Sequence, residues 1–235
     1  LLQLIWNQRK QNAWLWAELL LVSVFLWFLV DYLYVMGRTY TAPLGFDIRH
    51  TYSIVISSLS ERSPDYIPKE KRERPDGVHL LTALDRIRTY PGVESACLTD
   101  GGMPYYMGSR NLVWRIDTLQ VPCRYAFVTP EFFDVFRIYD KDGKTASLKR
   151  AIEDNNSIVI SADVETMNPG LSLLGQKAYR GNVTDEIEET IRGISVPIRR
   201  HEYTKAEPNV YRALRLSRME DRCRATLRTC PSGCR

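Results

Sequence analysis

Apolar and polar positions divide this chain into one long apolar stretch near its beginning and a longer mixed region after it. The stretch WLWAELLLVSVFLWFLVDYLYVM falls within residues 13–36, and its only charged residues are Glu18 and Asp31. A helix of about 24 residues is about 36 Å long, enough to cross a hydrocarbon core of about 30 Å. Tryptophans near one end and tyrosines near the other are typical of the two membrane interfaces. Residues 13–36 therefore predict a transmembrane helix.

Two other interpretations of this stretch fit it less well. A cleaved signal peptide has an apolar region of about 7–15 residues followed by a small-residue cleavage site. The sequence VMGRTYTAPLG, which follows the stretch, offers no such site. A helix buried in a globular core fits neither the length nor the hydrophobicity on all sides.

Glu18 and Asp31 lie near the two ends of the predicted span. A charge there costs less than a charge at the bilayer centre. We expect both carboxylates to reach the interface or to pair with a neighbouring helix. The alternative is a proton or ion relay, which needs partner groups on other helices.

The charges that flank the stretch orient it. Arg9 and Lys10 precede it, and Arg38 alone follows closely, which favours a cytoplasmic N-terminus. Residues 1–12 predict a short amphipathic helix on the inner membrane surface. The expected topology is a single crossing with the residues from 38 onward outside, or in the periplasm of a Gram-negative cell, where the membrane is the cell inner membrane.

Short alternating runs and short helical stripes fill residues 38–211. Tyr52, Ile54 and Ile56 alternate with polar or smaller residues and predict a strand, whereas GVHLLTALDRIRTYPG repeats apolar residues at helical spacing and ends at Pro-Gly. VESACLTD predicts a second strand, and NLVWRIDTLQVPCRYAFVT a hairpin. TPEFFDVF predicts a helix capped by Thr129. The later segments predict a short helix (SLKRAIEDN), a strand (NSIVISADV), a helical turn (ADVETMN) and a closing strand (ETIRGISVPI). Together they predict one α+β domain.

Composition narrows the function. The 235 residues are 44% hydrophobic and 26% charged, and a mean hydropathy of −0.28 excludes a polytopic membrane protein. A net charge of +4 without a basic stripe argues against a nucleic-acid partner. The sequence has no GxGxxG, Walker or GxSxG motif, and its five cysteines form no CxxC pair. We therefore predict no enzyme, no cofactor, and no catalytic, cofactor-binding or metal-binding residues. Cys97 and Cys123 are predicted to be separate thiols.

The composition changes after Tyr211. Residues 212–235 contain seven Arg, no Lys and three Cys. They predict a disordered tail that adds nothing to stability. The change is typical of a truncated or frameshifted reading frame, and the alternative is a true arginine-rich interaction tail.

The order of several motifs resembles the MacB-like and FtsX-like ABC transporter permeases, particularly those common in Bacteroidetes. The motifs are the apolar stretch and then, in chain order, GFD (45–47), YPGVESACL (90–98), VTPEFFDVF (128–136), NSIVISADV (156–164), LLGQ (173–176) and IRGI (191–194). No motif is specific alone. Their order and spacing over about residues 1 to 200 carry the resemblance.

This resemblance implies a first transmembrane helix and a MacB-like periplasmic core domain inserted before three further helices. It also implies an ABC ATPase subunit as partner and a homodimer or heterodimer of permeases, and it leaves a periplasmic adaptor or outer-membrane partner open. The implied function is to couple cytoplasmic ATP hydrolysis to a periplasmic conformational change, for export of or response to peptides, lipoproteins or drugs. Because no further apolar span follows, we expect a permease fragment.

Two alternatives remain. One is a single-pass, membrane-anchored periplasmic sensor or adaptor domain without transport activity. The other, an anchored periplasmic enzyme, has the least support.

Overall fold

The computed structural model describes residues 9–55, 59–68, 71, 76–106, 108, 110–154, 156–180, 187–215 and 224–230. The chain divides into two compact units. One consists of Leu1–Pro43 with Glu202–Thr204, and the other of Leu44–His201 with Lys205–Arg235.

The first unit is built on helix α1, Arg9–Thr41. Its segment Ala13–Thr41 is long and apolar enough to cross a membrane, and no part of its most apolar window is buried. The interpretation as a buried core helix is therefore wrong. The helix continues beyond the predicted span of 13–36 at both ends, so residues 9–12 belong to it. The rest of the predicted interfacial helix, residues 1–8, lies outside the described residues.

The two carboxylates of α1 are both exposed. Glu18 and Asp31 are separated by about 20 Å along the helix axis at about 1.5 Å per residue, too far for direct proton transfer between them. Near the C-terminal end of α1, Tyr40 contacts Tyr203 of the segment Glu202–Thr204, with ring centroids 5.8 Å apart. The functional role of the two carboxylates stays a prediction.

The second unit mixes helices and strands, which confirms the predicted α+β class. Its helices are α2 (Asp76–Arg88), α3 (Phe132–Val135), α4 (Ala146–Glu153) and α5 (Asp163–Met167). Its strands are β1 (Thr51–Val55), β2 (Val93–Asp100), β3 (Asn111–Ile116), β4 (Leu119–Val128), β5 (Ser157–Ser161), β6 (Lys177–Arg180), β7 (Ile187–Ser195), β8 (Asn209–Ala213) and β9 (Arg224–Thr229).

The described strands form one sheet that closes partly on itself. Their order is β1-β9-β2-β4-β3-β6-β7-β5-β8, and β8 also pairs with β4. Strands β4, β3, β6, β7, β5 and β8 therefore make a closed ring of pairings, and β2, β9 and β1 extend the sheet away from it. The length of β4 allows this branching, because it pairs with β3 over 119–124, with β8 over 124–128 and with β2 at its end.

Alternation along the strands sends successive side chains into different hydrophobic clusters. In β5, Ile158 and Ile160 pack inside the ring around Trp114, whereas Val159 packs outside it beneath α3 and α4. A third cluster lies beneath α2 and includes Leu84, which is fully buried. Burying one such apolar side chain contributes about 1.5–3 kcal/mol. Strand β5 therefore stabilises two hydrophobic clusters, one through each of its faces.

Most predicted elements form where the pattern placed them, but strand β6 lies partly in GLSLLGQKAY, which was expected to be a loop. Two other details also differ. Thr129 does not cap α3; the N-cap is Glu131, without a side-chain capping bond. The Thr129 hydroxyl instead accepts a hydrogen bond from the Leu98 N–H at 3.1 Å, because the chain passes beside β2 before α3 begins. Strand β7 does not close the domain either, since β8 and β9 follow it.

The two cysteines Cys97 and Cys123 lie in different parts of the hydrophobic core. Cys97 and Cys123 are free thiols, as the sequence predicted, and both are buried. Cys97 lies outside the ring and Cys123 within it. Burial raises the pKa of both thiols, that of Cys123 to about 12. Because the thiolate is the reactive form, both are unreactive while the domain is folded.

The expected disordered tail is corrected by the structure over its described part. Residues 212–213 complete β8, and Arg224–Thr229 form β9, which pairs with β1 on one side and β2 on the other. Ala225, Thr226 and Arg228 are buried. Arginine-rich composition predicted a disordered tail, whereas the side chain of Arg228 is hydrogen-bonded to acceptors inside the domain. Residues 216–223 and 231–235 lie outside the described residues.

Removal of β9 should loosen the outer layer of the domain and leave the ring intact. In a full chain ending at residue 223, we expect iodoacetamide to alkylate Cys97 rapidly and Cys123 slowly. The physical reason is that Cys97 lies opposite Thr226 of β9 in the sheet. Cys123 lies in the ring, and β9 is not one of the ring strands. The lost strand should lower stability by several kcal/mol, a large part of the about 5–15 kcal/mol typical of a domain.

A chain that ends at Cys230 is the matched control, and it should protect both thiols. Mass spectrometry of the alkylated peptides gives the two rates separately. Equal protection of Cys97 in both truncated chains would contradict a structural role for β9.

Candidate functional site: the segment after the apolar helix

The GFD motif lies in a short segment that connects α1 to β1. Helix α1 ends at Thr41, and the segment 44–50 has no strand of its own. Three backbone hydrogen bonds nevertheless hold it: Arg199 N–H to Leu44 O at 3.0 Å, Asp47 N–H to Phe136 O at 2.8 Å, and Thr229 N–H to His50 O at 2.9 Å. The segment is thus attached to three separate parts of the second unit.

Gly45 is required where it stands for two reasons. Its φ is +83°, a conformation that side chains with a Cβ rarely adopt. A Cβ at this position would also lie 2.1 Å from the carbonyl oxygen of Pro197. Only glycine lets the chain pass this close to residues 197–198.

Phe46 anchors the segment through its side chain. The ring packs against the hydrophobic cluster beneath α3 and α4. It also meets the ring of Tyr105 edge to face, with centroids 5.9 Å apart, an arrangement that aromatic pairs favour.

Arg228 of β9 fixes the same segment from the opposite side. Its side chain is 2% exposed. Nε donates to the carbonyl oxygen of Val135 at 2.7 Å, Nη2 donates to the carbonyl oxygen of Asp47, and Nη1 lies 3.5 Å from the Asp47 carboxylate. The Val135 carbonyl is at the end of α3, where a helix leaves carbonyls without internal partners. One guanidinium therefore joins three chain segments that are distant in sequence.

The Asp47 carboxylate stays ionised in this setting. Burial raises its pKa, but hydrogen bonds from the backbone and guanidinium of Arg49, with the charge of Arg228, outweigh burial and hold the pKa below its usual range. Arg137 adds a further positive charge at 3.5 Å from Asp47 Oδ2. The carboxylate is thus the negative centre of a group of arginines.

Two residues close to Asp47 have a strained backbone conformation. His50 and Arg137 have φ values of 58° and 51° and are two of the four described non-glycine residues with positive φ. Such conformations cost about 1–3 kcal/mol each and persist where the surroundings enforce them, often at functional sites.

An open cleft of about 580 Å³ lies next to Arg137. Its charged side chains pair with one another, with Arg88 2.8 Å from Glu131 and Lys149 2.6 Å from Asp134. The described parts of the chain contain no group of three or more His, Cys, Asp or Glu residues placed to hold a metal ion. The hydrogen bonds and ion pairs around Asp47 hold chain segments together, so the role of this site is structural attachment.

Two parts of this site are separate motifs in the sequence. These are GFD and VTPEFFDVF, and the structure bonds Asp47 to Phe136 directly and to Val135 through Arg228. Arg228 itself was expected in the disordered tail. The available signal was the run RATLRT, in which Ala225 and Leu227 alternate with Thr226 and Arg228 as in a strand.

Comparison with known proteins gives structural similarities only. No family model matches the chain, and no curated protein matches it significantly. A domain named as that of a permease protein from Porphyromonas gingivalis is 21% identical, with a TM-score of 0.44 over 60% of this chain and 58% of that one. This chain therefore spans little more than half of that domain.

Two further solved structures are similar over more of their length. The periplasmic region of MacB from Actinobacillus actinomycetemcomitans is 10% identical, with a TM-score of 0.47 over 83% of this chain and 81% of that one. The extracellular domain of the noncanonic ABC-type transporter YknZ from Gram-positive bacteria is 13% identical, with a TM-score of 0.48 over 77% and 84%. At such low identity no residue correspondence follows.

Replacing Gly45 by alanine should destabilise the domain more than the same change at Gly92. Both glycines have positive φ, but nothing lies within 4 Å of a Cβ at Gly92. We expect Gly92→Ala to cost about 1–2 kcal/mol from backbone strain alone. Gly45→Ala should cost about 1–3 kcal/mol more, because residues 197–198 must move. Denaturant titration of the full chain, read by alkylation of Cys97, measures both; equal losses would refute the close approach at Pro197.

Acid should weaken the attachment of the segment through Asp47. Because its folded pKa lies below the unfolded value of about 4, the carboxylate contributes stability above pH 4 that is lost as pH falls through the folded pKa. Asp47→Asn should therefore be less stable at pH 7 and should lose less stability between pH 5 and pH 3.

Asp142→Asn, in an exposed turn, is the control. It should follow the wild-type pH dependence in denaturant titrations at pH 7, 5 and 3. If Asp47→Asn follows the wild type as well, the carboxylate does not hold the segment.

Proposed function

We propose that this chain supplies the first transmembrane helix and the periplasmic domain of a MacB-like or FtsX-like ABC transporter permease. A partner ATPase hydrolyses ATP in the cytoplasm, and the helix passes the resulting movement to the domain. The observation that carries the proposal is the firm attachment of the segment after α1, which contains the GFD motif of the family resemblance.

The connection between helix and attached segment is very short. Only Ala42 and Pro43 separate Thr41 from Leu44, whose carbonyl oxygen is already hydrogen-bonded. Two residues span at most about 7 Å, and proline restricts one of them. A flexible tether between a membrane anchor and an independent domain is usually longer and rich in glycine and serine.

The attachment can also resist force. It combines three backbone hydrogen bonds, the partly buried ring of Phe46 and the three interactions of Arg228. These contacts reach α3, β9 and residues 197–199, so a displacement of Leu44 acts on several elements at once. This supports coupling of helix movement to the domain, with peptides, lipoproteins or drugs as candidate cargo.

We further propose that the N-terminus is cytoplasmic and the domain periplasmic, as Arg9 and Lys10 indicate. Alkaline phosphatase fused after the last residue should then be active, because it folds only in the periplasm. Green fluorescent protein fused at the same point should not fluoresce. The reverse pattern would overturn the orientation.

Transmission of movement from α1 to the domain requires a stiff connection between them. A flexible insertion in that connection should therefore abolish the transmission. We expect the chain, co-expressed with its complete transporter, to co-purify with an ABC ATPase. ATP should then change amide hydrogen exchange in the domain. Inserting Gly-Ser-Gly-Ser-Gly-Ser after Pro43 should preserve co-purification and abolish this response, because slack in the connection absorbs helix movement.

The same insertion after Gly143, in an exposed turn with open space around it, is the control and should retain the response. A response that survives insertion after Pro43 would exclude mechanical coupling through this segment. Absence of any ABC ATPase from the purified complex would favour a membrane-anchored sensor or adaptor instead.

A further inference from the structure

Four arginines line a small cavity between β4, β8 and two loops. They are Arg110, Arg124, Arg199 and Arg200, and the rest of the wall includes Asn209 and Tyr211. The cavity has a volume of about 20 Å³. A water molecule needs about 10–15 Å³ of such space, so there is room for one small group and not for a drug-sized ligand.

The arginines differ in their partners. Arg110 pairs with Asp100 at 2.6 Å, and Arg200 donates to the Tyr106 carbonyl from Nε at 3.2 Å and Nη2 at 3.0 Å. Arg199 is 5% exposed. Nε of Arg124 is buried and has no hydrogen-bond partner among the described residues. A buried donor without an acceptor costs about 1–3 kcal/mol, and more when it is charged.

The charge around Arg124 is unbalanced. Burial and the neighbouring charge of Arg200 lower its pKa, and Glu207 and Tyr211 only partly oppose them. Of the acidic groups nearby, Asp100 pairs with Arg110, and Asp163 interacts with Tyr211. Burial raises the pKa of Asp163, so its negative charge is itself disfavoured.

We propose that this cavity binds a single anionic group, a carboxylate or a phosphoryl group, between Arg124 and Arg200. Guanidinium groups match both anions through paired N–H donors, and an oxygen of the anion satisfies Nε of Arg124. The small volume admits only the oxygen-bearing end of the ligand. The carboxylate would come from a peptide and the phosphoryl group from a lipid headgroup or free phosphate.

The site is placed to influence the segment after α1. Residues 198–200 form one wall of the cavity, and the same stretch receives Leu44 through the Arg199 N–H. Tyr105, which packs on Phe46, donates its N–H to the Arg200 carbonyl at 3.2 Å. A bound anion therefore stiffens the support of that segment. The anion site does not depend on the proposed transport role.

Titration of the full chain in detergent tests the site. Inorganic phosphate and acetate are added separately at constant ionic strength, with chloride as the balancing ion, and binding is followed by isothermal titration calorimetry. We expect saturable binding of one anion per chain. Arg124→Gln and Arg200→Gln should each weaken it about tenfold or more, as expected for loss of a charged hydrogen bond.

Arg192→Gln is the matched control, because Arg192 is 57% exposed and pairs with Asp154 on the surface. It should bind as the wild type does. Preference for phosphate points to a phosphorylated source, and preference for acetate to a peptide carboxylate. If Arg124→Gln fails to fold, Arg200→Gln decides. Absence of saturable binding by either anion, or unchanged binding in the folded Arg124 and Arg200 variants, would overturn the site.

Discussion

The buried guanidinium of Arg228 is the interaction on which the outer part of the domain depends. Its charge is removed from water, which is tolerated only when good acceptors surround it. The Val135 and Asp47 carbonyls and the Asp47 carboxylate provide them. Because these acceptors come from the segment after the helix and from the end of α3, both must be in place for Arg228 to be buried. The end of the chain, the beginning of the domain and a helix in its middle are thereby formed together.

The sheet explains why this attachment is separate from the ring. The ring of six strands has its own hydrophobic interior around Trp114. The extension formed by β2, β9 and β1 joins it through two residue pairs between β2 and β4. The domain thus contains a closed ring and an extension of the sheet, and the segment after α1 is hydrogen-bonded to β9 of the extension through Arg228 and Thr229.

The arginine cavity and the attachment of Asp47 share a stretch of backbone. Residues 197–200 contact Gly45 and Leu44 on one side and line the cavity on the other. A ligand at the cavity and a movement of the helix would therefore act on the same few residues. Such coupling needs no long pathway, since one short segment carries both contacts.

The sequence by itself determined the apolar helix, the α+β class, the positions of most strands and helices, and the separation of Cys97 from Cys123. These features depend on local periodicity, turn residues and composition, which neighbouring residues provide. Only the tertiary structure decided that RATLRT is a strand paired on both sides, that Arg228 is buried, and that Arg228 joins Asp47 to Val135. The contacts of Arg228 join residues 93 and 181 positions apart, and no local pattern contains such partners. Whether an arginine is a solvated surface charge or a buried hydrogen-bond donor depends on the acceptors that the fold places around it. Tertiary packing determines which acceptors those are.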